Sequence, residues 1–202
     1  VYAPLMPLAE DEVKSELVPQ AVVEAKRQGC PIVLFVGKVS RGKGCDVMLA
    51  AWRNLAERWP QARLVIAGNV DVRAWDIDVS RTLLLGYVER AAVTAIYNAS
   101  DIVILPSTWP EPLGWSVLDS ARHRKPIVAT AVGGIPEAVS DGHTGFLVPR
   151  LNPVAMANAL HKLLSDPSLR QSMGQAAFES VKTRFGVAAV RSQLHALYEG
   201  LA

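Results

Sequence analysis

Two carboxylates and two lysines stand at spacings that suit a phosphate-bearing ligand. In Leu105-Pro-Ser-Thr-Trp-Pro-Glu-Pro-Leu-Gly-Trp-Ser-Val-Leu-Asp119, an apolar run breaks at Pro106, passes a loop holding Glu111 and reaches Gly114. From Trp115 the spacing turns helical. A helix that starts after a glycine presents free backbone N–H groups, which suit an anion. Asp119 lies roughly 7 Å along the helix axis from Gly114. A phosphate at the helix start would then have one carboxylate toward each end of its molecule. On this segment alone, a solvated loop residue and an exposed helix residue account for Glu111 and Asp119 equally well.

The second cluster is Gly37-Lys-Val-Ser-Arg-Gly-Lys-Gly44. It nearly matches the phosphate-loop pattern G-x-x-x-x-G-K-[ST], but Gly44 removes the hydroxyl that would hold magnesium. The nearest acidic magnesium partner, Asp101, begins a strand where it should end one. A P-loop NTPase is therefore disfavoured, while Lys38 and Lys43 still suit direct neutralisation of a diphosphate without a metal. Gly133-Gly134-Ile-Pro-Glu137 opens another helix. Its glycines serve either a close backbone approach to a ligand or only a tight turn. No G-x-G-x-x-G fingerprint is present, which argues against an NAD dehydrogenase. His123, His143, His161 and His195 have no zinc spacing, no serine sits in a G-x-S-x-G elbow, and Cys30 and Cys45 form neither a metal motif nor a disulfide framework.

These loops need a scaffold, and the apolar pattern supplies one. Ile32–Val36, Arg63–Ala67, Thr82–Gly86, Asp101–Leu105, Pro126–Thr130 and Gly145–Val148 are short and apolar. Continuous runs of this kind suit parallel strands buried on both faces. Amphipathic helices are predicted over Gly44–Trp59, Glu89–Ala99 and Trp115–Arg124, with a short one over Pro136–Ser140. Asn152-Pro153 and Asp166-Pro167 each read as an N-cap followed by proline at the first helical position. A last amphipathic helix starts near Val187. Glu10–Gln28 reads as a charged helix broken near Pro19, and Tyr2–Pro7 as an extended linker. Alternating strands and helices predict an α/β fold, a Rossmann-like, doubly wound, six-stranded parallel sheet with helices at its C-terminal end. Ligands in such folds sit beyond the carboxyl ends of the strands, where the loops after the first, third, fourth and fifth strands emerge.

The 202 residues are 50% hydrophobic and carry a net charge of +2 without a basic block, which gives no support for a nucleic-acid partner. No run approaches the ~20 apolar residues that span a bilayer. Val1–Leu8 does not resemble a signal peptide, so a reducing cytoplasm is the default location. The chain begins without Met and is expected to be a piece of something longer.

Taken together, the loops resemble the C-terminal, donor-binding domain of a GT-B glycosyltransferase of the retaining type grouped as family 4. The resemblance covers roughly residues 30 to 200. The family's G-R-x5-K-G loop corresponds to Gly37-Lys38 through Lys43-Gly44. Its P-S-x-x-E-x-x-G segment corresponds to Pro106-Ser107 through Glu111 and Gly114, and its E-x7-E pair to Glu111 and Asp119. The strand G-x-P-(V/I)-V-A-(S/T) corresponds to Lys125-Pro126-Ile-Val-Ala-Thr130, followed by Gly133, Gly134 and Glu137. Asp141-Gly-His-Thr-Gly-Phe-Leu-Val148 is similar to the family's D-G-x-x-G-x-L-V.

The resemblance implies one half of a GT-B fold. Residues 1–29 would be a linker and lead-in segment, and 30–202 a nucleotide-sugar-binding domain. Lys38 and Lys43, with Gly37, would meet the diphosphate, and Glu111 the hydroxyls of the transferred sugar. The backbone of Leu113, Gly114 and Trp115 would face the phosphates, Asp119 the ribose, and Tyr87 and Val88 the base. No cofactor or metal is expected. The substrate would be a UDP-, GDP- or ADP-linked sugar, and the main partner an N-terminal domain carrying the acceptor site. Any peripheral membrane contact would belong to that half. This half alone would bind nucleotide and catalyse nothing, and its last helix would show a partly exposed apolar face. Three positions depart from the family pattern: Lys38 for arginine, Asp119 for glutamate, and Lys125 for the glycine before the fifth strand. A non-catalytic binding module and an epimerase or phosphorylase of the same superfamily fit the same pattern.

Overall fold

The computed structural model describes residues 15–55, 57–71 and 74–200. Six strands form one parallel sheet: β1 (Ile32–Val36), β2 (Arg63–Ala67), β3 (Thr82–Gly86), β4 (Ile102–Leu105), β5 (Ile127–Thr130) and β6 (Gly145–Val148). Their order is β3-β2-β1-β4-β5-β6. The chain steps outward from β1 to β3, then returns to the other side of β1 and steps outward again. The reversal lies between β1 and β4, where loops on the carboxyl edge diverge and leave a crevice. The doubly wound sheet expected from the sequence is the one observed.

Side-chain alternation on β1 divides the core. Val33 and Phe35 join Met48 and Trp52 of α2 (Cys45–Asn54) and Leu160 and Leu163 of α6 (Pro153–Ser165) on one face. Ile32 and Leu34 face the other way. There they meet Ile96 and Tyr97 of α3 (Arg90–Ala99), Val117 and Leu118 of α4 (Trp115–Arg122) and Val181 of α7 (Pro167–Phe185). All of these side chains are at most 2% exposed. Burial of each large one stabilises the fold by about 1.5–3 kcal/mol, which holds β1 and β4 rigidly under the crevice.

Expected element ends moved by a few residues. The helix predicted to run to Trp59 closes at Asn54, where Leu55 N–H bonds back three residues to Trp52 O. Trp59 instead donates its indole N–H to His161 Nδ1 on α6, at 2.9 Å. α4 ends at Arg122 in a Schellman cap, with Lys125 N–H bonded to Ser120 O and Arg124 N–H to Ala121 O. The left-handed residue of that cap is Arg124, φ 53°. The position that favours glycine is therefore Arg124, two residues before Pro126 as the G-x-P spacing requires, and not the expected Lys125. The Arg124 guanidinium lies 4.0 Å from the Phe178 ring centroid on α7. Both predicted caps are present: Asn152 accepts from Ala155 N–H and Asp166 from Leu169 N–H, each at 2.9 Å.

Before β1, a 3₁₀ turn (Ser15–Leu17) leads into α1 (Gln20–Arg27), whose Val22 and Ala25 are buried in the core beside Cys30. The lead-in segment is thus part of the packed body from α1 onward. The linker expected at Tyr2–Pro7 and the first part of the charged helix lie outside the described residues. Gly133 and Gly134 lead into the short helix α5 (Ile135–Ala138). The final helix, α8 (Val187–Glu199), buries Val190 and leaves Val187, Leu197 and Tyr198 exposed, the partly exposed apolar face expected of it. No helix of the described residues is long and apolar enough to cross a membrane.

Candidate functional site

Three loops meet over the β1/β4 crevice, and glycines let them touch. A Cβ on Gly44 would sit 1.8 Å from Pro106 O, and Gly44 also holds φ +68°. The loop after β1 can therefore lie directly on the loop after β4. Thr108 ties the two together: its N–H donates to Gly42 O at 3.0 Å and its hydroxyl to Arg41 O at 2.9 Å. On the other side, a Cβ on Gly133 would meet Glu111 O at 2.0 Å and one on Gly134 would meet Pro112 O at 1.9 Å. Gly134 N–H donates to Glu111 O at 2.8 Å. The glycine pair thus presses on the backbone of the Glu111 loop itself, a third role beside the ligand approach and the tight turn considered from sequence.

A cavity of about 510 Å³ lies between these loops. Val36 and Gly37 line it from the end of β1, Leu105 from the end of β4, and Lys43, Glu111, Leu113, Gly114, Trp115 and Asp119 from the loops and from α4. Gly114, φ 80°, precedes the first turn of α4, and no side chain caps that turn. Val117 N–H donates to Gly114 O at 3.0 Å, and the N–H groups of Trp115 and Ser116 suit an anion at the cavity wall. Of the residues singled out for the phosphates and the sugar, Lys38 is the exception. It is exposed and is not part of the lining.

Glu111 is 5% exposed, and three donors converge on one of its oxygens. Lys43 Nζ reaches Oε1 at 2.5 Å, Ser107 Oγ at 2.7 Å and Trp109 Nε1 at 2.8 Å. Ser107 is fixed in turn, because Thr130 Oγ1 donates to its carbonyl at 2.6 Å. Burial alone would raise the Glu111 carboxyl. The hydrogen bonds from Lys43, Ser107 and Trp109, with the Lys43 charge, outweigh it and hold the group below its ordinary value. Sequence reasoning gave no role to Ser107 or Trp109. They sit four and two residues before Glu111 in an irregular loop, where no periodicity marks side chains that converge.

Asp119 faces the opposite environment. Burial is the largest influence and pushes its carboxyl up, while Arg90 and Arg122 oppose that shift. It lines the first cavity and also a second of about 300 Å³, formed with Tyr87, Val88, Arg90, Tyr97 and His123. Asp119 therefore joins the two spaces, and Tyr87 and Val88 lie on its far side. Tyr97 stacks on His123 with centroids 5.2 Å apart. Burial pushes the pKa of its phenol up, the Asp119 charge adds to the effect, and the Ser116 side chain opposes it.

Asp101, weighed above as a magnesium partner, sits at the amino edge of the sheet. Its carboxylate accepts from Ile32 N–H at 2.8 Å and pairs with Lys26 at 3.1 Å, away from the loops. Among the described residues, no cluster of three or more His, Cys, Asp or Glu side chains could hold a metal ion.

The chain is 36% identical over 211 aligned positions to a D-inositol 3-phosphate glycosyltransferase of Corynebacterium aurimucosum, covering 95% of this chain and 49% of the relative. It is 31% identical over 176 positions to the alpha-D-kanosaminyltransferase of Streptomyces kanamyceticus, covering 83% and 45%. The chain thus spans about half the length of these curated relatives. The crystal structure of Anabaena Alr3699/HepE in complex with UDP-glucose superposes with a TM-score of 0.74 at 22% identity, over 92% of this chain and 55% of that one. The fold is the one found in such GT-B glycosyltransferases. A family profile described as "Glycosyl transferases group 1" matches residues 19–180, and the chain belongs to that family.

Proposed function

We propose that this chain is the donor-binding half of a retaining hexosyltransferase that takes its sugar from a nucleotide diphosphate. In this reading the diphosphate lies against Lys43 and the first turn of α4. The transferred hexose meets Glu111, the ribose meets Asp119, and the base lies beside Tyr87 and Val88. Lys38 reaches the diphosphate by a side-chain rearrangement from its exposed position. The single observation that carries the proposal is the order of groups along the two joined cavities: ammonium and carboxylate, free helix start, second carboxylate, then the Tyr87–Val88 space.

The chemistry follows from the charge that develops as the sugar leaves. A departing diphosphate gains negative charge, which Lys43 and the α4 N–H groups stabilise electrostatically, commonly the largest catalytic contribution. In this reading the two carboxylates of the cavity serve the hydroxyls of the sugar and of the ribose, not the anomeric carbon. Retention then proceeds with the acceptor entering on the face from which the diphosphate leaves, as the family resemblance implies. The acceptor and the remaining catalytic groups belong to a second domain, so the chain alone binds donor without turning it over. UDP is the favoured carrier because the Anabaena neighbour is described with UDP-glucose.

Titration of the chain with UDP, GDP and ADP tests the reading. Binding of UDP in preference to the others is expected. No response to any of the three at millimolar concentration would sink it in favour of a module that has kept only the fold. In the full-length enzyme, Lys43→Ala and Glu111→Gln should each abolish most sugar transfer, and unchanged transfer in both would remove this site from catalysis.

A further inference from the structure

Glu111 Oε1 receives three donors, and a carboxylate oxygen has lone pairs for about two strong hydrogen bonds. It has no capacity left for a ligand. The other oxygen, Oε2, receives none of the three. Two of the donors have further reasons to be where they are. Ser107 is fully buried and anchored by Thr130, and Lys43 is drawn to its carboxylate by charge. Trp109 differs. It is 49% exposed, and its indole N–H donates to Glu111. The Lys43 ammonium also stands 5.5 Å from the indole centroid, within the range of a cation–π contact. Trp109 thus contacts both members of the Lys43–Glu111 pair without lining the cavity.

We propose that Trp109 is a positioning residue of the donor site. Its indole N–H, acting with Ser107 and Lys43, occupies Oε1 of Glu111 and leaves Oε2 as the oxygen presented to the hydroxyls of the transferred sugar. Its ring keeps the Lys43 ammonium over the site, where the two remaining ammonium protons meet the diphosphate. The inference rests on the donor reading above, and it concerns which part of the donor Trp109 serves. The diphosphate contacts of the α4 start do not depend on Trp109, and a ring alone serves Lys43, so the influence of the indole N–H falls on the sugar.

Trp109→Phe keeps the ring and removes the N–H. The unmodified chain and this variant are titrated calorimetrically with UDP, and with UDP-glucose, UDP-galactose and UDP-N-acetylglucosamine, the tightest of the three sugars being carried forward. UDP affinity should change less than about twofold, which also reports an intact fold. Affinity for the UDP-sugar should fall roughly tenfold, the loss expected for one hydrogen bond to a charged group. Because Trp109 acts through Glu111, the double variant Trp109→Phe/Glu111→Gln should bind the UDP-sugar no more weakly than Glu111→Gln alone. The acid limb of UDP-sugar binding should also move to higher pH in Trp109→Phe, since Glu111 loses one donor that holds its carboxyl low.

Three results overturn the inference while the donor reading stands: wild-type UDP-sugar affinity in Trp109→Phe, an equal loss for UDP and UDP-sugar, or full additivity in the double variant. Binding of UDP with no binding of any of the three sugars removes the sugar role of Glu111 and the inference with it. Failure of the unmodified chain to bind UDP is the distinct outcome that overturns the donor reading itself.

Discussion

Glu111→Gln separates the charge of the site from its shape. Glutamine keeps a carbonyl that accepts from Ser107 and Trp109, so the variant loses mainly the ion pair with Lys43. A hydrogen bond to a charged group contributes about 1.5–3 kcal/mol when well buried. The Glu111 side chain is 6% exposed but that of Lys43 is 33% exposed, so solvent screens the pair and lets the freed ammonium rehydrate. The expected loss at pH 7 is about 1–2 kcal/mol, or roughly 3–6 °C in Tm for a domain of this length. The pH dependence has a definite sign. The folded carboxyl sits below its ordinary value of 4.5, so the folded chain binds that proton more weakly than the unfolded one. The contribution is complete above the unfolded value and fades as pH falls through the folded value. Thermal melts from pH 7 to pH 3 should therefore show the gap between wild type and Glu111→Gln close in acid. Equal Tm at pH 7, or a gap that widens on acidification, would refute the pairing argument.

Other substitutions test the loops and the second carboxylate. Gly44→Ala combines left-handed strain of about 1–2 kcal/mol with a Cβ at 1.8 Å from Pro106 O, and should cost more than about 3 kcal/mol in urea denaturation while abolishing UDP binding. Gly174→Ala places a Cβ 2.1 Å from Arg124 O, so α7 must shift off the α4 cap; a loss of about 2–3 kcal/mol is expected, and a neutral result would show that α7 has slack there. Asp119→Asn should raise stability by on the order of 1 kcal/mol at neutral pH, because burial disfavours the carboxylate, and should weaken UDP binding about tenfold; calorimetry and melts check both directions together.

The strands were legible because burial on both sheet faces demands continuous apolar runs, and Ile32–Val36, Arg63–Ala67, Thr82–Gly86 and Gly145–Val148 end where those runs end. Loop positions were legible as chemistry, since lysines, glycines and carboxylates have few reasons to gather at strand ends. Contacts across loops were not. Thr108 against Arg41 and Gly42, or Gly134 against Glu111, joins residues far apart in sequence through irregular backbone with no period to read. The family glycine expected at Lys125 belongs at Arg124, because G-x-P counts back two residues from Pro126. The Schellman hydrogen bonds to Ser120 O and Ala121 O make that same residue left-handed.

The two carboxylates, eight positions apart in the sequence, live in opposite surroundings, and the difference matches the roles proposed for them. At the sugar end, Glu111 is held ionised by donors already in place, so meeting a hydroxyl through Oε2 requires little reorganisation of the site. At the ribose end, Asp119 is strained toward its neutral form by burial and kept in balance by Arg90 and Arg122. Ribose hydroxyls that donate to Asp119 relieve that strain, because hydrogen bonds to the charged form favour it. In the proposed reading, binding a nucleotide would therefore improve the Asp119 end, while the Glu111 end is pre-formed. The shorter aspartate, one methylene short of the family's glutamate, then serves as more than a looser copy. It keeps the carboxylate close to the wall of α4, where burial makes its ionisation depend on a partner.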